Sequence, residues 1–161
     1  MRVLLAFILT LLLALTVACG DGGDGDSDGG DVTLPTAAIK LIGATGQRAE
    51  LTVELARASA ERSRGLMFRE ELPEDRGMLF VFEGETNAGF WMKDTKIPLS
   101  IAFLTSDGLI QETQDMEPLS TALHRPAEAY SYALEVNQGW FGRHGLGAGD
   151  RVEIPADVEG E

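Results

Sequence analysis

The sequence predicts a mainly β protein with one or two short helices, folded as a small, partly open barrel or a rolled β-sheet. Two observations lead to this class. Apolar residues after position 50 recur mostly with a period of two, in short runs separated by turn residues. Only one stretch has the spacing of a convincing helix. The chain of 161 residues suits one such domain with appended segments, not two full domains.

Seven segments have the alternation or the short apolar run of a strand. They are residues 51–55, 78–82, 89–93, 99–104, 109–113, 130–136 and 151–154. Because residues 78–82 are apolar on both faces, we expect them to form a central, covered strand. Ser106, Asp107 and Gly108 predict a turn that joins 99–104 and 109–113 into a hairpin.

One helix is predicted after Ser59, which is a plausible N-cap for the segment AERSRGLMFREE at residues 60–71. Gly65 lies inside this segment and costs a helix about 1 kcal/mol relative to alanine. It therefore marks either a close backbone approach or an early helix end. A second short turn is predicted over residues 139–144.

The first 19 residues predict export. Arg2 precedes an apolar run from Val3 to Val17, which is shorter than the roughly 18 residues of a membrane span and fits a secretory signal. The run ends just before Cys19, in a sequence that resembles a bacterial lipobox, although Thr16 stands where leucine is usual. We expect a lipoprotein signal peptide over 1–19, with Cys19 lipidated. An ordinary secretion signal or an uncleaved anchor remains the alternative.

The segment after Cys19 predicts a solvated tether. Residues 20–31 comprise six glycines, five aspartates and one serine, which cannot form an apolar core. The predicted organisation is a signal peptide at 1–19, a Gly/Asp-rich tether at 20–36, a β-rich domain at 37–155 and an acidic tail at 156–161. We therefore expect an exported protein, anchored to the membrane on the periplasmic or extracellular face.

Composition excludes several classes of function. Lys and Arg total 13 against 26 Asp and Glu, and the net charge of −13 argues against a nucleic-acid partner. The lone cysteine excludes an internal disulfide and a multi-cysteine zinc site. Met67, Met78 and Met92 have soft thioether sulfurs, but methionine most often fills core gaps, so we predict no metal and no cofactor. No feature indicates an oligomeric state.

Several blocks of sequence resemble a known family. They are Arg64-Gly65-Leu66-Met67, Gly77-Met78-Leu79-Phe80, Phe90-Trp91-Met92-Lys93-Asp94-Thr95, Ile97-Pro98-Leu99, Leu134-Glu135-Val136-Asn137-Gln138-Gly139 and Gly147-Ala148-Gly149-Asp150. Their order and spacing resemble the domain-of-unknown-function family 192 over residues 50–155. The resemblance implies a compact, barrel-like β domain and no established activity. Ser100 departs from the family pattern, which usually has aspartate there.

The segment around Trp91 is the first candidate ligand surface. In a strand, Trp91 and Lys93 would point away from Phe90 and Met92. An aromatic ring beside Lys93 and Asp94 can bind a sugar ring or a peptide by stacking and hydrogen bonding. The alternative is that Trp91 belongs to the core and that residues 93–95 only form a turn.

Arg64 and Glu135 complete the predicted ligand surface. The helix could place the Arg64 guanidinium near Asp94 or Glu135, where it would either fix the helix to the sheet or receive an anionic ligand. Glu135 lies among small residues on its strand and has the same two interpretations. The predicted ligand-binding set is Arg64, Trp91, Lys93, Asp94 and Glu135.

These observations predict a binding or accessory module of the cell envelope, whose ligand is a small molecule, a glycan or a peptide. Two alternatives remain. Asp94 and Glu135 could cleave a glycoside if their carboxyl groups lay about 5–9.5 Å apart. The domain could also serve only as a structural, protein-interaction unit. No serine-hydrolase or metalloprotease motif is present, and we predict no catalytic residues.

Overall fold

The computed structural model describes residues 33–158, and these form one curled sheet with two short helices. The predicted class, mainly β with one or two short helices, is confirmed. The strands are β1 (Thr36–Ile42), β2 (Arg48–Ala56), β3 (Arg76–Thr86), β4 (Leu99–Leu104), β5 (Ile110–Met116), β6 (Tyr130–Asn137) and β7 (Arg151–Glu153). The helices are α1 (Ser59–Arg64) and α2 (Trp140–Arg143), and a 3-10 turn follows at Ala156–Val158.

The seven strands lie in the order β5-β4-β6-β3-β2-β1-β7. Neighbours are antiparallel except β2 and β3, which are parallel and are connected through α1. The two edges of the sheet approach each other at one corner, where Leu109 bridges Arg151. There the Val152 N–H donates to the Gly108 carbonyl over 2.8 Å. A Cβ at Gly108 would lie 2.2 Å from the Val152 oxygen, so only glycine fits at this corner. The approach of the two sheet edges gives the predicted partly open barrel.

Apolar side chains cover both faces of the middle strands. All seven strands contribute to the inner cluster, which includes Leu41, Val53 and Leu134 and is completed by Trp140 of α2. The outer cluster includes Met78 and Phe80 and is covered by Leu66 and by residues of the loops between strands. Adjacent residues alternate between the two clusters, as strand geometry requires.

Most of the predicted strands are present, and residues 99–104 coincide with β4. The predicted strand at 89–93 is wrong. Phe90 forms only an isolated bridge with His124, and the Met92 N–H donates to the Ser120 carbonyl, so this segment pairs with a loop. The predicted alternation of side-chain directions is present, since Met92 is buried while Trp91 is exposed. β1 was not among the predicted strands.

The predicted helix at 60–71 is shorter than expected. α1 ends at Arg64, and the next residue, Gly65, has a φ of 48°, which lies in the left-handed region that glycine tolerates. Ala58, not Ser59, is the N-cap. The Glu61 carboxylate satisfies this end of the helix by accepting the N–H groups of Arg57 and Ala58, each over 2.8 Å.

The structure includes only parts of the predicted terminal segments. The predicted signal peptide, Cys19 and most of the predicted tether lie outside the described residues. β1 begins at Thr36, the last residue of the predicted tether, and Val158 of the predicted tail is buried in the inner cluster. None of the helices in residues 33–158 is long and apolar enough to span a membrane.

Candidate functional site

A cavity of about 460 Å³ lies on the outer face of the sheet, beside α1. Glu135 and Phe80, both buried on the middle strands, form part of its lining. Arg62 and Arg64 reach it from the helix, and Trp91 reaches it from the loop after β3. This volume falls within the roughly 300–1,000 Å³ of sites that hold small molecules.

Glu135 is the most unusual group in the cavity. It is paired with Met78 of β3 and Ile101 of β4, and only 4% of its surface is exposed. Within residues 33–158, its carboxyl group has neither a hydrogen-bond donor nor an ion-pair partner. Burial away from water disfavours the charged form and raises the pKa of Glu135 to about 8. The group is therefore mostly protonated at neutral pH.

Aromatic side chains form much of the cavity wall. Phe80 and Phe90 meet edge to face, with ring centroids 4.9 Å apart. Phe82 meets Tyr130 in the same way at 5.4 Å, and the Tyr130 hydroxyl donates to the Ala88 carbonyl over 2.7 Å. These contacts hold the wall in a fixed shape beside Glu135. These rings were not among the predicted site residues.

The two arginines of the lining are both engaged elsewhere. Arg62 donates to the carbonyl groups of Arg57 and Val81, the latter over 3.1 Å, and its guanidinium carbon lies 4.9 Å from the centre of the Phe82 ring. The Arg64 guanidinium carbon lies 5.8 Å from the Phe68 ring. The predicted pairing of Arg64 with Glu135 is not formed.

The predicted site residues are only partly brought together. Arg64, Trp91 and Glu135 line the cavity, and Trp91 is 46% exposed. Lys93 and Asp94 lie in a surface turn next to Trp91 and are not in the cavity lining. The Lys93 amine is 5.7 Å from the Trp91 ring and 4.0 Å from the Asp94 carboxylate. The ligand-binding role of all five residues remains a prediction.

The arrangement offers one carboxyl group for chemistry. Among the described residues, Glu135 is the only acidic side chain in the lining, and Asp94 does not join it. A single carboxyl can donate and accept hydrogen bonds when it is protonated, or pair with a cation once it is ionised, but the glycosidase alternative requires two carboxyl groups. The geometry therefore supports ligand binding more directly than glycoside cleavage.

The family resemblance of these sequence blocks is supported by comparison with known proteins. Residues 41–154 match DUF192, a family described as "Uncharacterized ACR". The chain belongs to the DUF192 family. No curated protein matches it.

Two solved structures are similar to this DUF192 protein. A protein of Sinorhizobium meliloti 1021, called a "putative transcription regulator", is 39% identical with a TM-score of 0.75, over 77% of this chain and 97% of that one. A protein of unknown function from Novosphingobium aromaticivorans DSM 12444 is 36% identical with a TM-score of 0.72, over 75% of this chain and 86% of that one.

The departure from the DUF192 pattern at Ser100 lies away from the cavity. The Ser100 hydroxyl accepts the Gly139 N–H over 2.8 Å and donates to the Asp115 carboxylate over 2.5 Å. Its neighbours on β4, Leu99 and Ile101, belong to the outer cluster, so Ser100 points to the inner side of the sheet. Glu135 faces the outer side, and the departure therefore does not alter the candidate site.

A second cavity, of about 480 Å³, lies on the other side of α1 and includes Glu61 and Arg69 in its lining. Arg69 makes two hydrogen bonds with Glu54, at 2.7 and 2.6 Å, and Glu61 caps α1. Because these charges are satisfied within the protein, we regard the Glu135 cavity as the better candidate. Residues 33–158 contain no group of three or more His, Cys, Asp or Glu side chains placed to hold a metal ion.

Proposed function

We propose that this DUF192 protein is a membrane-anchored, extracytoplasmic lipoprotein that binds a small ligand in the Glu135 cavity and acts as a binding or accessory module of the cell envelope. The observation that carries the binding proposal is the buried Glu135 carboxyl, which has no partner in residues 33–158. Its place in an open, aromatic cavity gives a ligand both apolar contact area and one fixed polar group.

The energetic cost of Glu135 supports this proposal. A polar group in apolar surroundings that has no hydrogen bond costs about 1–3 kcal/mol, and at Glu135 only water or a ligand in the cavity can reduce this cost. An apolar residue at this position would avoid that cost. Buried and perturbed carboxyl groups in cavities are typical of functional sites, where the ligand supplies the missing partner.

The anchoring half of the proposal rests on the sequence. The apolar leader ends at Cys19, and the Gly/Asp segment that follows provides a solvated spacer. A diacylated cysteine would give the two-chain attachment that stable membrane binding requires. The proposal includes no nucleic-acid partner, because a net charge of −13 opposes binding to a phosphate backbone.

An interaction with another protein is a second candidate, favoured by exposed apolar side chains near the cavity. Phe68, Trp91, Leu119 and Leu123 are 54%, 46%, 61% and 55% exposed, respectively. Their loops are joined by backbone hydrogen bonds, including Phe68 to Asp94 at 2.8 Å. Exposed apolar surface of this kind is common where a partner or a peptide docks.

Blocking the cavity tests the binding proposal. Ala88 is exposed and lines the cavity, so Ala88→Trp should fill its mouth without disturbing the core. We expect saturation-transfer NMR to show that the full chain in detergent binds at least one of three probes, phenethylamine, 2-phenylethanol or phenylacetate. The signal should fall at least fivefold in Ala88→Trp.

The matched control is Ala122→Trp, because Ala122 is also an exposed loop residue but does not line the cavity. This variant should bind the probes as the natural protein does. Failure of all three probes to bind, or equal binding by both variants, would contradict the proposed function.

A further inference from the structure

We propose that the ligand of the Glu135 cavity is an organic cation, namely a primary or quaternary amine carried on an apolar body, with its charge placed beside Glu135. This inference rests on the proposed binding function and specifies the ligand's chemical class. It follows from three features of the cavity: its single acidic group, its aromatic wall and the positions of its other charges.

The first feature is the unpartnered carboxyl. An ammonium group supplies the opposite charge that Glu135 lacks among the described residues, and an ammonium carrying N–H groups also supplies donors. A ligand carboxylate would instead lie against a buried carboxyl and would itself lose its hydration. An alcohol or an amide supplies a hydrogen bond but no charge. The cation therefore gains the most from this position.

The second feature is the aromatic wall formed by Phe80, Phe82 and Phe90, with Trp91 at the rim. The faces of aromatic rings attract cations, and the attraction is strongest when water is excluded. The cavity already contains such a contact, since the Arg62 guanidinium carbon lies 4.9 Å from the centre of the Phe82 ring. The remaining rings and Leu66 provide contact surface for an apolar ligand body.

The third feature is the set of charges that face Glu135. On the strands paired with β6, its opposite residues are Met78 and Ile101, both uncharged. The covering loops contribute Phe90 and Thr95, also uncharged, to the lining. The only cationic residues in the lining are Arg62 and Arg64 of α1, within the described residues. Arg62 is held by two backbone carbonyl groups and Arg64 lies against the Phe68 ring.

The ionisation of Glu135 gives this inference a pH signature. The free carboxyl is mostly protonated below its pKa of about 8, whereas pairing with an ammonium requires the carboxylate. Binding at pH 6–7 therefore releases a proton. The affinity for an amine that stays protonated should rise by up to about tenfold per pH unit between pH 6 and 8, and then level off. A neutral ligand that accepts the carboxyl proton should show the opposite trend.

The experiment uses calorimetry on the full chain in detergent with three probes that share one phenyl body. At pH 8 we expect phenethylamine to bind at least tenfold more tightly than 2-phenylethanol or phenylacetate. Its affinity should fall by at least tenfold at pH 6. In Glu135→Gln, the affinity for phenethylamine should fall by at least tenfold and its pH dependence should disappear, while 2-phenylethanol changes by less than threefold.

Several results would overturn the inference. Tighter binding of 2-phenylethanol or phenylacetate, or phenethylamine binding that is independent of pH, would show that the ligand is not a cation paired with Glu135. Those results leave the proposed cavity function intact, because that function fails only if no probe binds or if Ala88→Trp has no effect. If Glu135→Gln does not fold, the pH dependence of the natural protein decides the question alone.

Discussion

At the scale of single residues, Glu135 shows how position overrides residue type. An isolated glutamate titrates near 4.5, but burial between Met78 and Ile101 raises the pKa of Glu135 to about 8. The shift is caused by desolvation alone, since no neighbouring charge contributes to it. At neutral pH this residue is therefore a hydrogen-bonding acid in an apolar wall, which becomes charged when a suitable partner enters.

Backbone strain is also concentrated near the candidate site. Phe68, Asp94 and Leu119 are the residues other than glycine with positive φ in 33–158, at 66°, 57° and 60°. Their segments are joined by two backbone hydrogen bonds, from the Phe68 N–H to Asp94 and from the Leu119 N–H to Thr95. Residues in the left-handed region cost about 1–3 kcal/mol and tend to cluster at functional sites.

Leu119→Gly tests whether this strain is real. Glycine should remove the steric cost of the left-handed backbone conformation at Leu119, which is about 1–2 kcal/mol. Against this, ordering a glycine backbone on folding costs about 0.5–1 kcal/mol in entropy. Leu119 is 61% exposed, so removing its side chain sacrifices little packing. We expect the free energy of unfolding, measured by urea denaturation, to be unchanged or to rise by up to about 1 kcal/mol.

The control is Leu123→Gly, because Leu123 is similarly exposed, at 55%, and does not have a positive φ. This variant has the entropic penalty of glycine but relieves no left-handed backbone conformation. It should therefore be less stable than Leu119→Gly by about 1–2 kcal/mol. Equal destabilisation by the two substitutions would show that the backbone at Leu119 is not strained.

At the scale of elements, the sequence predicted those strands whose pattern reflects burial. β4 and β6 were predicted because continuous or alternating apolar residues match their covered faces. Residues 89–93 alternate in the same way but pair with the 120–124 loop, because a loop packed over a sheet also has one buried side. The alternation therefore predicted which side chains are buried and not which backbone they pair with.

The candidate site was predictable only in part, because local sequence patterns do not show which strands pack together. Trp91 and Glu135 are conspicuous in the sequence because a large ring and a charge interrupt apolar patterns. Phe80 and Phe82 follow the core pattern and give no separate signal, although they line the same cavity as Glu135. The absence of a partner for Glu135 depends on the packing of strands that are far apart in sequence, so no local pattern reveals it.

At the scale of the whole molecule, the fold exposes the candidate site on one face of the sheet. The inner face is filled by side chains from all seven strands, whereas the outer face is covered, among residues 33–158, by α1, by the connecting loops and by Leu34 before β1. This division leaves room for a cavity without interrupting the main core. The Ser100 contacts belong to the inner side and lie apart from the cavity lining.

Replacement of the predicted lipidated cysteine tests the proposed anchoring. When the full chain is produced with its leader in a bacterium that processes lipoproteins, it should sediment with membranes, and intact-mass spectrometry should show a diacylated N-terminus at Cys19. Cys19→Ala should remove the acyl mass, because no other thiol is present in the chain. An unmodified thiol at Cys19 in the natural protein, or an intact leader, would contradict the lipoprotein proposal.

The most direct test of the binding-site account is the pH dependence of the free energy of unfolding in the natural protein and in Glu135→Gln. Because the pKa of Glu135 is raised from 4.5 to about 8, the folded state keeps a proton that the unfolded state has released at intermediate pH. The contribution of Glu135 to stability is therefore complete below about pH 4.5 and is lost as the pH rises through 8.

Each unit of pKa shift corresponds to about 1.4 kcal/mol. Between pH 5 and 8.5, the free energy of unfolding of the natural protein should therefore fall by about 3–5 kcal/mol relative to that of Glu135→Gln. Denaturant unfolding followed by the fluorescence of buried Trp140 measures this difference. If the difference in unfolding free energy between the two proteins is the same at pH 5 and pH 8.5, Glu135 is solvated and the account of a buried, unpartnered carboxyl is wrong.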